Sequence, residues 1–158
     1  MRSNLIAVLL LLVAAAQALA DVRIRASAGG EVLDYLEVFK AVRESGQRVV
    51  IDGPCLSACT LVLSIVPSSR ICVTRRAVLG FHAARRLDRR SGRLLPAREA
   101  TRVIEATYPV VIQNWIDRHG GLSQRLILLR GRELAELYPT CSMGRDADEL
   151  GDRLYRAN

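Results

Sequence analysis

The sequence has little lysine, few aromatics, few histidines and only one long apolar run. Lys40 is the only lysine among 23 basic residues, so the +7 net charge is carried by arginine. One Trp, four Tyr and two Phe in 158 residues leave no stacking platform for single-stranded nucleic acid, and no nucleic-acid partner is expected. Only His82 and His119 are present. Neither stands at ligand spacing from Cys55-x-x-x-Cys59, which lacks a second tight cysteine pair, so no metal is expected. Three residues rather than two separate those cysteines, which argues against a thioredoxin-like redox motif. No repeat period, biased tract or cofactor motif is visible, which excludes solenoid and low-complexity architectures.

The single long apolar run is Leu5–Ala16. It follows a short positive start containing Arg2 and precedes the small-x-small triplet Ala18-Leu19-Ala20. That order is the pattern of a secretory signal peptide spanning residues 1–20, cleaved between Ala20 and Asp21. The expected location is therefore periplasmic or secreted, with residues 21–158 forming one domain. No later run is long enough to span a bilayer, so the mature chain is not expected to cross a membrane. Export makes an even set of cysteines, Cys55, Cys59, Cys72 and Cys141, read as disulfides with three possible connectivities. The arginines gather between Arg85 and Arg102, which reads as a solvated basic loop or, alternatively, an anion-binding patch.

Periodicity gives an alternation of strands and helices. Asp21–Ala26 alternates apolar and polar residues as a strand, and Ser27–Gly30 breaks it. Glu31–Ser45 places Val32, Tyr35, Leu36, Phe39 and Val42 at helical spacing, with Gly46 as the stop. Arg48–Ile51 is a β-branched strand ended by Asp52-Gly53-Pro54. Ser57–Val66 reads as a buried helix, and Ile71–Thr74 and Val78–His82 as two strands. Ala83–Leu95 reads as a polar loop. One helix is expected from Pro96 to Arg118, kinked at Pro109, with Val103, Ile104, Val110, Val111, Trp115 and Ile116 facing inward. A shorter helix from Ser123 to Leu129, another helical turn or two at Glu133–Tyr138, a last strand at Thr140–Met143 and a terminal helix at Ala147–Tyr155 complete the expectation. The class is α/β with a mainly parallel sheet.

Three features converge if the first two strand-to-helix turns lie side by side. Gly29-Gly30 presents main-chain N–H groups at a helix start. Ser57 stands at the equivalent second turn, where its hydroxyl and the N–H of Ala58 share one corner. His82 ends an apolar strand aimed at the same crevice. Taken alone, a serine in Cys-Leu-Ser-Ala-Cys is a helix cap, the histidine a structural residue and Gly-Gly a turn. His119 reads as a helix C-terminal cap, and Trp115 as core or oligomer interface.

Ala28-Gly29-Gly30-Glu31-Val32, Ser57-Ala58-Cys59 and Phe81-His82-Ala83, in that order, resemble the oxyanion, nucleophile and histidine segments of the Clp protease proteolytic subunit. That family lies in the ClpP/crotonase superfamily, and the likeness is to exported, cysteine-bearing relatives, running from about Asp21 to Cys141. The resemblance implies a spiral of ββα units with Pro96–Arg118 as an oligomer-contact helix, hence a homo-oligomer. It implies Ser57 as nucleophile, His82 as general base and the N–H groups of Gly30 and Ala58 as oxyanion hole. The family's aspartate position falls on Gly131, so Glu133 is the nearest substitute acid and Asp117 a more distant one. The resemblance also implies a Cys72–Cys141 disulfide, with Cys55 and Cys59 pairing across the nucleophile turn or remaining free. If paired, they would brace Ser57 and restrict access to it.

Three functions follow from this reading. The first is a serine hydrolase acting on peptide or acyl bonds. The second is a non-catalytic ClpP-like module that holds an extended peptide or protein segment by strand addition. The third is an anion- or envelope-binding protein acting through Arg85–Arg102.

Overall fold

The computed structural model of the protein describes residues 20–142. Residues 1–19 of the expected signal peptide, Met143 and the expected helix Ala147–Tyr155 lie outside the described residues.

Short β-branched runs give short strands that build two small sheets. β1 (Val22–Ile24), β2 (Val49–Ile51) and β4 (Ile71–Val73) form a wholly parallel sheet in the order β1-β2-β4. Every residue of β2 is buried, as a central strand covered on both faces requires. β3 (Pro54–Leu56), β5 (Val78–Phe81) and β8 (Ile127–Arg130) form the second sheet, with β3 parallel and β8 antiparallel to β5.

The chain passes from the first sheet directly into the second, β2 into β3 and β4 into β5. β1 does the same, because Ser27 forms a parallel bridge with Cys55 of β3. Helical segments make the return legs: α1 (Val32–Ser45), then a 3-10 segment (Ser57–Leu61) running into α2 (Val62–Ile65). α1 buries Phe39 and Val42 and stops at Gly46, whose φ of 76° suits glycine. The architecture is mixed α/β with small, mostly parallel sheets.

Several expected boundaries move, each for a physical reason. β2 ends at Ile51 as expected, but Asp52-Gly53 is only a bend, and the chain re-enters a strand at Pro54. Pro54 opens β3, a position where its missing N–H costs no ladder bond. Ala83–Leu95 is not a loop: Arg85–Leu87 (β6) and Leu94–Pro96 (β7) pair as an antiparallel hairpin. Asp88 closes its turn by accepting from the Arg90 N–H and the Ser91 hydroxyl.

Pro96 therefore belongs to β7, and the expected single helix is two, α3 (Arg98–Thr107) and α4 (Val110–Arg118). Tyr108 between them is extended (φ −67°, ψ 152°), because the residue before a proline is excluded from the helical region. Trp115 and Ile116 are buried, but Val103, Val110 and Val111 are 58, 67 and 48% exposed, contrary to the inward face expected. Ser123–Leu129 is not a helix either. β8 occupies its end because Leu129 buries itself opposite Leu79 while satisfying the open edge of β5. The expected strand at Thr140 reduces to one parallel bridge with Val73.

The core centres on Phe81, which meets Tyr108 edge-on (5.4 Å, 89°) and Trp115 at a tilt (5.9 Å). Two disulfides are present, Cys55–Cys59 and Cys72–Cys141, with Cα–Cα distances of 5.2 and 4.9 Å. They suit an oxidising environment. No helix among the described residues is long and apolar enough to cross a membrane.

Candidate functional site

The two strand-to-helix turns pack directly against each other. Gly29 has a φ of 84°. A Cβ built on it would stand 2.5 Å from Ser57 Cβ, 2.6 Å from the Leu56 carbonyl oxygen and 3.0 Å from the Ala58 nitrogen. Only glycine permits this approach. It brings the start of α1 and the start of the Ser57–Leu61 segment to one corner.

Ser57 itself has a φ of 56° and is the only non-glycine residue with positive φ among the described residues. Holding an L-residue in the left-handed region costs on the order of 1–2 kcal/mol, so the surroundings must over-determine it. Three constraints do so. The Cys55–Cys59 disulfide bridges the two residues flanking the turn at i−2 and i+2. The Thr60 hydroxyl donates to the Ser57 carbonyl oxygen at 2.7 Å. With its only proton used there, Thr60 accepts from the Tyr108 hydroxyl, also at 2.7 Å. Burial pushes the Tyr108 phenol up to about 12, against the Thr60 hydrogen bond, so the phenol stays protonated and remains a donor.

The disulfide does not cover the serine. Cys55 and Cys59 are fully buried while Ser57 is partly buried and lines the groove, so the bond braces the turn from beneath. The Ser57 hydroxyl has no hydrogen-bond partner among the described residues. Gly30 stands just before Glu31, the N-cap residue of α1, and Ala58 is the second residue of its segment. Neither N–H finds an acceptor in the surrounding turns and caps; for Ala58 this is the usual state of an amide in a first helical turn.

His82 follows β5 and lines the same groove as Ser57, Gly30 and Ala58. The main chain immediately after it is fixed by two hydrogen bonds. The Ala83 N–H donates to the Ser123 carbonyl at 2.7 Å, and the Ala84 N–H to Thr101 Oγ1 at 3.0 Å. The ring is fixed by His82 Nδ1, which lies 2.7 Å from the Ala83 carbonyl oxygen. A carbonyl can only accept, so Nδ1 carries the proton and, in the neutral ring, Nε2 holds the free lone pair. No hydrogen bond joins Ser57 to His82 in this state.

Neither candidate acid is hydrogen-bonded to His82. Glu133, on α5 (Gly131–Leu137), accepts from Trp115 Nε1 at 3.4 Å. Asp117 lies near Glu105, whose carboxyl is raised by partial burial and then by the Asp117 charge. Gly131, at a φ of 61°, opens α5. His119 ends α4, with its ring stacked on Trp115 at 4.0 Å and its Nδ1 2.8 Å from the Trp115 carbonyl oxygen. Among the described residues, no three His, Cys, Asp or Glu side chains gather as a metal site.

The groove has a volume of about 760 Å³. Val32, Leu33, Leu61, Ile104 and Leu122 supply apolar lining, and Arg85, Arg86 and Leu87 of the hairpin close one side. Thr60, Thr101 and Tyr108 also line it and carry no local sequence signal. Comparison with protein-family models, with curated proteins and with solved structures finds no match.

Proposed function

We propose that the protein is an exported ClpP-like serine hydrolase of peptide or acyl bonds. Ser57 is its nucleophile, His82 its general base, and the Gly30 and Ala58 N–H groups its oxyanion hole. The observation that carries this reading is the strained Ser57 turn, held by a disulfide and a buried hydroxyl pair in the groove that also holds a singly oriented imidazole. Strain of this kind is retained where the surroundings have a use for it. The passage of each β1, β2 and β4 leg into the second sheet supports the ββα-spiral reading. The exposed valines of α3 and α4 support self-association through those helices.

The reaction proceeds as acyl transfer. Ser57 Oγ forms a bond to the substrate carbonyl carbon and passes its proton to His82 Nε2. The carbonyl oxygen takes up the negative charge between the two N–H groups. As the intermediate collapses, the scissile bond breaks and the leaving group takes the proton from Nε2. Water then repeats the sequence and releases the acid, returning the proton to Ser57. The Ala83 carbonyl does what an aspartate does in a triad, fixing the tautomer and ring orientation. It lacks a full negative charge, so the imidazolium is less stabilised and a slower enzyme is expected.

A fluorophosphonate probe applied to folded, oxidised protein tests this reading. One adduct per chain is expected, absent in Ser57→Ala and strongly reduced in His82→Ala. An unlabelled wild-type chain would instead support a non-catalytic peptide-binding module with the same groove.

A further inference from the structure

We propose that the groove selects extended segments carrying a carboxylate on the hairpin side of Ser57, and that Arg86 is the residue that reads it. The inference rests on the groove being a peptide-binding site, and it names the chemistry of the segment.

The charge around the groove is one-sided. The hairpin carries Arg85, Arg86, Arg89, Arg90 and Arg93 against a single carboxylate, Asp88, which its own turn uses. The ion pairs among the described residues are Arg23–Asp52, Arg76–Asp52 and Arg102–Glu99, so no hairpin arginine has a carboxylate partner there.

Two of these arginines line the groove. Arg85 is already oriented: its Nε donates to Gln124 Oε1 at 2.9 Å and its guanidinium to the Gln124 carbonyl at 3.2 Å. The Arg86 guanidinium donates to no described residue and keeps its planar fork open for a two-point carboxylate contact. The groove's one carboxylate, Glu31, belongs to the opposite turn at the start of α1. It repels an acidic side chain from that end, so the two ends of the groove favour opposite charge. The partner is thus a peptide segment with an apolar body and an acidic residue toward β6, not a polyanion in general.

The test uses the full oxidised chain bearing Ser57→Ala, so that cleavage does not intervene. Two fluorescein-labelled hexapeptides are compared by anisotropy, one with two glutamates and one with glutamines in their place. The glutamate peptide is expected to bind about tenfold more tightly at low ionic strength, the size of a good charge-assisted contact. The preference should shrink near 1 M salt, where screening acts within about 3 Å. Arg86→Glu and Arg86→Gln should each remove most of the preference while leaving affinity for the glutamine peptide. Substituting the hairpin tip, Arg89→Glu with Arg90→Glu, should leave the preference intact.

Equal binding of the two peptides, or no binding of either, overturns the inference. So does a tip variant that weakens binding as much as Arg86→Glu, since that describes a diffuse basic surface. Fluorophosphonate labelling of the wild-type chain is measured in parallel. Labelling without acidic preference overturns the selectivity alone, whereas preference without labelling upholds it and contradicts the hydrolase.

Discussion

Ser57 is the residue where the side chain and the backbone disagree, and two substitutions separate them. Ser57→Ala removes the hydroxyl but keeps a Cβ at positive φ; Ser57→Gly removes both. The glycine variant is expected to be more stable than the alanine variant by about 1 kcal/mol in urea unfolding, because glycine adopts that φ without penalty. Equal stability would show that the turn is unstrained. The residues that meet in the groove, Gly30, Ser57, Ala58 and His82, were legible because each sits at a local strand end or helix start. Thr60 and Tyr108 were not, since the hydroxyl contact joins residues 48 apart in sequence. The Ala83 carbonyl had no signature at all, because every residue type supplies one. The carboxylate nearest the family's aspartate position is Glu133, which hydrogen-bonds Trp115 instead.

Among the elements, the first sheet is held at its end by a buried carboxylate. Asp52, directly after β2, accepts from Arg76 (2.5 and 3.2 Å), Thr74 (2.8 Å) and Arg23 of β1 (2.9 Å). Hydrogen bonds from Arg76, then Thr74 and Arg23, hold its carboxyl well below the ordinary 3.8, against a smaller opposing effect of burial. A folded pKa below the unfolded one means that this stabilisation is complete above about pH 4 and disappears as pH falls through the folded value. Asp52→Asn is expected to lower the melting temperature at neutral pH and to flatten its decline in acid. A variant that keeps the full acid decline would place that sensitivity elsewhere. The strands of the first sheet were visible as β-branched runs, and α1 as an apolar stripe. β8 is hidden because its pairing with β5 is non-local, and the β6–β7 hairpin, though local, because its strands lack an apolar alternation. A four-residue apolar run and an arginine-rich segment carry no period that separates strand from helix or loop.

For the whole molecule, the two disulfides are expected to contribute differently to stability and to the proposed Ser57 chemistry. Cys72–Cys141 ties β4 to a residue 69 positions later, and its removal as a double alanine variant is expected to cost about 4 kcal/mol. Cys55–Cys59 closes a separation of only 4, so the same change there should cost about 2 kcal/mol. The short bridge should matter more for labelling of Ser57, because it spans the turn that the long one never touches. Denaturant melts and labelling yields on the two variants check both halves, and equal loss of labelling would put the brace in doubt. The central claim is that Ser57 is activated by an imidazole oriented by the main chain, with no side-chain acid. The most direct measurement is the rate of fluorophosphonate adduct formation, mapped to Ser57 by mass spectrometry, in wild type, Glu133→Gln, Asp117→Asn and His82→Ala. The expected result is an unchanged rate in both acid variants and a fall of about 100-fold or more in His82→Ala. A large loss in Glu133→Gln or Asp117→Asn, or an adduct that His82→Ala does not slow, would contradict it.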